Sequence, residues 1–206
     1  MNEPEMSNRV IAICGDSGSG KTTLSKLLEG KLGNCTILEC DRYHKWERGS
    51  YHYRYLTPLH PRANEIEMMI SDVERLRRGE TVHRRDYNHS DGKFTDPESI
   101  EPKDNIIVSG LHTLKVDYDI SIYVDTEKNL KYVWKINRDF KERGYDVDDI
   151  IRKVKNRQIE FNNHILPQKY KSDIIVKYYW DKQIKKQITV NNKVDITKEI
   201  LEAINE

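Results

Sequence analysis

Apolar residues occur in two patterns along this chain, and the two patterns alternate. Short runs rich in Val, Ile and Leu predict buried strands, whereas apolar residues at helical spacing predict amphipathic helices. The predicted strands cover residues 9–14, 36–40, 105–108, 119–124 and 173–176. The predicted helices cover residues 22–31, 62–78, 128–143, 148–165 and 195–205, the last with Asp195 as its N-cap. A further hairpin is predicted over residues 178–191.

This order of elements predicts the architecture. The strands are apolar throughout rather than at every second residue, which is typical of a mainly parallel sheet covered by helices on both faces. Gly33, Gly79 and Gly144 each follow a predicted helix and favour its termination there. Ligands of such sheets bind in the crevice outside the carboxyl ends of the strands, so we expect function at that edge.

Composition excludes several classes of protein. The chain has 206 residues, a net charge of +1 and 33% charged residues, which indicates one folded, soluble domain. We expect no membrane helix, no secretory signal and a cytoplasmic location. The balanced charge argues against nucleic-acid binding, and the basic residues 75–85 are interpreted as a solvated helix end. Cys14, Cys35 and Cys40 are expected to be buried, reduced thiols.

One glycine-rich segment matches the phosphate-loop pattern G-x-x-x-x-G-K-[ST], between a predicted strand and a predicted helix. Its residues are Gly15, Asp16, Ser17, Gly18, Ser19, Gly20, Lys21 and Thr22, with Thr23 next. Backbone N–H groups and the helix N-terminus of such a loop cradle a polyphosphate, Lys21 reaches the β/γ-phosphates and Thr22 ligates Mg²⁺. The alternative is an ordinary Gly/Ser-rich turn between strand and helix.

Asp41 follows the second predicted strand directly, at its carboxyl end. A kinase that phosphorylates a hydroxyl needs a carboxylate there, in line with the γ-phosphate, to accept the hydroxyl proton. Asp41 is therefore the candidate general base. A simple cap of the following turn is the alternative role for this residue.

These features, with several later motifs in the same order, resemble the phosphoribulokinase and uridine kinase family. The motifs are the phosphate loop, Asp41 to Arg48, Asn64, Tyr87 to His89, Gly110 to His112, Trp134 to Asp139, Glu142 to Gly144 and Pro167 to Lys169. The resemblance runs from about residue 10 to residue 176. It implies a single kinase domain over residues 1–206, with the α/β fold of P-loop NTPases and a helical lid at about residues 137–165.

The resemblance also implies roles for individual residues. The expected cofactors are ATP and Mg²⁺, and the expected acceptor is a sugar phosphate or a nucleoside. Many relatives are oligomers, so a homo-oligomer is among the expected assemblies. Asp41 matches the family's catalytic base, and Asp139 matches an acidic residue that the family needs for catalysis. Thr22 and Asp41 are the candidate metal ligands. The expected substrate and lid residues are His44, Arg48, Tyr87, His89, Lys135, Arg138 and, over the nucleotide, Arg143. For the charged residues of helix 128–143, an ion-pair ladder on a solvated face is the alternative interpretation.

The chain departs from the family pattern at position 109. The family has Glu before Gly-Leu-His, where it helps to hold Mg²⁺, and this chain has Ser109, a weaker neutral ligand. Asp125 or Asp41 could take over that role through water. Arg85-Asp86 also replaces a proline, and the length of the chain is closer to that of uridine kinases. A sugar-phosphate kinase is the favoured function, with a nucleoside kinase and a nucleotide-sensing protein as alternatives.

Overall fold

A computed structural model describes residues 8–143, 145–191 and 198–205. Eight strands form two sheets, in which a six-stranded sheet has the order β2-β5-β1-β6-β7-β8 and β3 pairs only with β4. The strands are β1 (Arg9–Gly15), β2 (Cys35–Glu39), β3 (Val82–Asn88), β4 (Lys93–Ile100), β5 (Asn105–Gly110), β6 (Ile120–Thr126), β7 (Ile174–Asp181) and β8 (Gln183–Val190). All neighbours in the large sheet are parallel except β7 and β8, which confirms the predicted mainly parallel α/β fold.

Helices cover both faces of the large sheet. They are α1 (Lys21–Leu32), α2 (Ile66–Arg77), α3 (Lys128–Arg143), α4 (Val147–Asn156), α5 (Gln158–Glu160), α6 (Leu166–Lys169) and α7 (Lys198–Asn205). On one face Ile11 and Ile13 pack with Leu24 of α1 and Ile200 of α7. On the opposite face Val10 packs in a second cluster with residues of α2. Consecutive residues of β1 therefore face opposite cores, which explains why its sequence is apolar without alternation.

Several boundaries differ from the sequence predictions. Helix α2 begins at Ile66 rather than at residue 62, because Pro61–Ala63 form a separate 3₁₀ turn. The predicted helix over residues 148–165 is divided into α4, α5 and a π-helical turn at Phe161–Ile165, and α6 extends the helical path to Lys169. The predicted last strand and hairpin are continuous, with β7 turning at Lys182 into β8. Gly144 and Asp195, the predicted helix stop and cap, lie outside the described residues.

The β3–β4 ribbon is the element that the sequence pattern did not predict. Its strands are mostly polar, and only Val82, Tyr87 and Ile100 among their residues are buried. The ribbon lies beside the 3₁₀ turn at Cys40–Tyr43. It thus brings residues from the middle of the chain to the carboxyl end of β2.

Two predictions from composition can be compared with the fold. All three cysteines are buried and none forms a disulfide, as expected. At the predicted solvated helix end, Arg77 forms an ion pair with Asp117. Arg84 and Arg85 lie on β3 instead, where Arg84 pairs with Asp72 and Arg85 donates to the carbonyl oxygen of His44. Within the described ranges, no helix is both long and apolar enough to cross a membrane.

Candidate active site

A cavity of about 490 Å³ opens at the carboxyl ends of β1, β2 and β5. This is the edge at which the parallel sheet predicted a ligand crevice. The site residues predicted from the sequence that line it are Ser17, Gly18, Lys21, Thr22, Thr23, Asp41, His44, Arg48, His89, Lys135, Arg138 and Asp139. Segments that are far apart in the chain therefore meet around one space.

The phosphate loop forms the floor of this cavity, and its glycines are sterically required. A Cβ atom at Gly15 would lie 2.6 Å from the carbonyl oxygen of Val124, and Gly18 has a φ of +81°. The Lys21 Nζ donates hydrogen bonds to the carbonyl oxygens of Gly15 (3.1 Å) and Asp16 (2.8 Å). Burial lowers the pKa of Lys21, while the carboxylates of Asp41 and Asp16 oppose that shift. The ammonium is thus held over the loop, where a phosphate oxygen could replace the carbonyls.

Four of the predicted loop residues do not line the cavity: Gly15, Asp16, Ser19 and Gly20. Asp16 forms an ion pair with Lys131 at 2.6 Å, and Ser19 is buried beneath the loop, where its carbonyl accepts a hydrogen bond from Thr126. Any contact of these residues with a phosphate would come from backbone N–H groups rather than from side chains.

Asp41 lies in the 3₁₀ turn after β2 and faces the phosphate loop across the cavity, with its side chain 32% exposed. Two imidazoles hold its carboxylate, His44 Nε2 at 3.3 Å from Oδ1 and His89 Nε2 at 2.9 Å from Oδ2. Burial would raise the pKa of Asp41, but His44, His89 and Lys21 outweigh it and keep the pKa well below its usual range. Asp41 is therefore an ionised hydrogen-bond acceptor with a fixed orientation.

Asn64 determines which nitrogen of His44 carries a proton. The Asn64 Nδ2 donates to the carbonyl oxygens of Pro58 and His60, so its Oδ1 is left as an acceptor. His44 Nδ1 lies 2.8 Å from that oxygen and must donate to it. The other ring nitrogen, Nε2, is thereby directed toward Asp41, with its Oδ1 at 3.3 Å.

The turn that joins β3 to β4 supplies His89 to the side of the cavity next to Asp41. Arg48 donates to the carbonyl oxygen of His89 (2.7 Å), and its guanidinium lies 5.0 Å from the centre of the Tyr145 ring. Tyr87, a predicted substrate residue, is buried outside the cavity wall, with its ring edge-on to His44 and His89.

Helix α3 closes the cavity over the phosphate loop. Lys135 Nζ and the Arg138 guanidinium both donate to the Ser17 Oγ, at 3.0 and 3.3 Å. Lys135 and Asp139 are only 8% and 4% exposed, which is inconsistent with an ion-pair ladder on a solvated face. Burial lowers the pKa of Lys135 to about 8, although Asp139, 3.5 Å away, opposes the shift. The predicted role of Arg143 concerns a side chain outside those that the structure describes.

Sequence reasoning missed several residues of the cavity wall, among them Glu39, Tyr53, Tyr145 and Arg157. Glu39 is the last residue of β2. For Arg157, the available signal was its helical phase on the predicted lid. Asp125, considered from the sequence as a substitute for the missing carboxylate at position 109, is not part of the wall. It forms an ion pair with Lys169 at 2.8 Å instead.

Comparison with known proteins identifies the family. The model of the phosphoribulokinase/uridine kinase family matches residues 10–185. The chain belongs to this family. It is 33% identical over 174 residues to a phosphoribulokinase of Synechocystis, which corresponds to 81% of this chain and 52% of that protein. It is 32% identical over 177 residues to a uridine kinase of Latilactobacillus sakei, covering 81% of this chain and 84% of the relative.

A solved structure supports the same fold. The phosphoribulokinase from Rhodobacter spheroides aligns with a TM-score of 0.67 over 96% of this chain and 85% of that chain, at 22% identity. The chain spans about half the length of the first phosphoribulokinases that it matches in sequence. The comparisons therefore establish the family and the fold, whereas the chemical class of the acceptor is inferred from the residues that line the cavity.

Proposed function

We propose that this chain is an ATP-dependent kinase that transfers the γ-phosphoryl group to a hydroxyl of a small sugar phosphate. The observation that carries the proposal is the position of Asp41, which faces the phosphate loop across a cavity large enough for a small acceptor. An acceptor hydroxyl between the two would lie next to both the carboxylate and the terminal phosphate.

The proposed transfer is a single displacement at the γ-phosphorus. The acceptor oxygen forms a bond to the γ-phosphorus while the bond from that phosphorus to the β,γ-bridging oxygen breaks. The proton of the hydroxyl passes to Asp41, and the electron pair of the broken bond leaves with ADP. Because its pKa is low, Asp41 acts mainly by orienting the hydroxyl and accepts the proton late, as a loose transition state allows.

Positive charge in the cavity favours a phosphorylated acceptor over a neutral one. Lys21 and Lys135 lie at the phosphate loop, and two guanidinium groups, those of Arg48 and Arg157, line the same cavity. A phosphate monoester needs such guanidinium groups for charge-assisted hydrogen bonds, whereas a neutral nucleoside does not. Arg138 donates to the Ser17 Oγ of the loop and is expected to stabilise the phosphoryl group in transit.

The cavity also offers oxygen donors suited to Mg²⁺, since Thr22 and Asp41 line it. Mg²⁺ is usually held by one or two carboxylates together with nucleotide phosphates and water, so a wall with few protein ligands fits this ion. Bound Mg²⁺ would offset the negative charge that develops on the phosphates. Asp139 would remain paired with the lid cations Lys135 and Arg138.

A nucleoside kinase is the second candidate function. It is favoured by the uridine kinase relative, of which the match covers 84%, against 52% of the phosphoribulokinase relative. The direct test is to incubate the chain with ATP and Mg²⁺ and to follow ADP with pentose phosphates, hexose phosphates and nucleosides. ADP formation that depends on a sugar phosphate supports the proposal. Dependence on a nucleoside favours the second candidate, and nucleotide binding without turnover on any acceptor indicates a sensor.

A further inference from the structure

Ser109 leaves a gap in the acidic groups around the nucleotide site. It is the last residue but one of β5, is 7% exposed and lines the cavity. The resemblance described above places a glutamate at this position, where it helps to hold Mg²⁺. A hydroxyl contributes no charge, so a second carboxylate beside Asp41 has to come from elsewhere in the cavity wall.

Glu39 lies on the neighbouring strand at the same level. Strands β2 and β5 are parallel, and their register pairs Glu39 directly with Ser109. Paired residues of parallel neighbours project from the same face of the sheet, and adjacent strands lie about 4.8 Å apart. A glutamate side chain is long enough to span that separation. Both residues line the cavity that also contains Thr22 and Asp41.

The Glu39 carboxylate has no partner that would keep it from a cation. Among the described residues it makes no hydrogen bond and no ion pair. The two basic side chains that act on it most, His89 and Arg42, already bond Asp41 (2.9 Å) and Glu98 (2.6 Å). Partly buried carboxylates without a partner are costly, and a bound cation would remove that cost.

We propose that Glu39 takes the place of the missing carboxylate at position 109 and ligates the nucleotide-bound Mg²⁺, directly or through one water molecule. This inference rests on the proposed function only in that a metal-nucleotide complex binds to the phosphate loop. In this arrangement the acidic ligand lies on β2 instead of the neighbouring strand β5, at the paired position of the sheet.

The test is a metal titration that needs neither an acceptor nor turnover. Mn²⁺ is titrated into the chain saturated with a non-hydrolysable ATP analogue, and free Mn²⁺ is followed by electron paramagnetic resonance. Glu39→Gln should weaken Mn²⁺ binding at least tenfold and leave binding of the metal-free analogue unchanged. Glu29→Gln, which removes an exposed carboxylate of α1 outside the cavity wall, should bind Mn²⁺ like the wild type.

A second variant tests the exchange between strands. Adding Ser109→Glu to Glu39→Gln should restore most of the lost Mn²⁺ affinity, and Ser109→Asp serves the same purpose if the longer side chain impairs folding. Wild-type Mn²⁺ affinity in Glu39→Gln would overturn the inference. So would a loss that neither replacement at position 109 recovers in a folded protein. Because no phosphoryl transfer is measured, an inactive chain on every acceptor would refute the proposed function and leave this test intact.

Discussion

Lys135 connects the pH of the solution to nucleotide binding. Its ammonium is buried between the phosphate loop and Asp139, and burial lowers its pKa from 10.5 to about 8. A bound polyphosphate next to Ser17 supplies the negative charge that the site lacks, and it should return the pKa of Lys135 toward its ordinary value. Binding above pH 7 should therefore be accompanied by proton uptake at this one residue.

The size of the effect follows from the pKa of about 8. Lys135 is about one-tenth deprotonated at pH 7, half at pH 8 and nine-tenths at pH 9, so uptake at this residue rises from about 0.1 to about 0.9 proton. Nucleotide affinity should fall about tenfold between pH 7 and pH 9. Stability changes in the opposite direction. Between about pH 8 and 10.5 the unfolded chain binds more protons than the folded one, so this residue makes folding more favourable as pH rises.

Isothermal titration calorimetry in buffers of different ionisation enthalpy measures the uptake directly. The ligand is a non-hydrolysable ATP analogue with Mg²⁺, and the control is Lys135→Arg, which stays charged throughout this range. Subtracting the proton uptake of Lys135→Arg from that of the wild type removes the protons taken up by the nucleotide and by Lys21. The reasoning is refuted if wild type and Lys135→Arg take up the same number of protons at pH 9.

Two further predictions concern stability. Gly18→Ala places a Cβ 3.1 Å from that of Lys135 at a φ of +81°, a strain of about 1–2 kcal/mol, so we expect a Tm lower by about 2–8 °C in thermal unfolding. Gly30→Ala, with nothing within 4 Å in α1, should instead raise the Tm slightly, and equal shifts would contradict the account. Burial lowers the pKa of His112 from 6.5 to about 4. Since the unfolded chain binds more protons between these values, stability should fall as pH drops through that window. Urea unfolding of His112→Gln should show a smaller fall, and an unchanged pH dependence would argue against a neutral, buried His112.

The large sheet and the phosphate loop could be predicted because local sequence determines them. Buried parallel strands such as β1 are apolar on both faces, and the glycines of the loop stand at fixed spacings. The β3–β4 ribbon could not be predicted in the same way. Its strands carry mostly polar and charged side chains outside the cavity wall, and they pair with each other without a continuous apolar face. Hydrophobic periodicity contains no signal for such a ribbon.

The same distinction separates the site residues that could be predicted from those that could not. Asp41 and Lys21 adjoin the ends of predictable elements, so their positions followed from the order of strands and helices. Glu39 was missed because its position opposite Ser109 depends on the register between β2 and β5, which no local pattern specifies. Tyr87 was expected at the substrate because its motif is recognisable, but the structure places its ring against His44 and His89, outside the cavity wall.

The central claim is that the carboxylate of Asp41 receives the acceptor hydroxyl opposite the nucleotide. The most direct measurement compares turnover of Asp41→Asn with that of the wild type on the same acceptor, together with nucleotide affinity in the absence of divalent cations. The account predicts turnover lower by about 10²–10⁴-fold and an affinity within about twofold of wild type. Turnover close to wild type in the folded variant would contradict it.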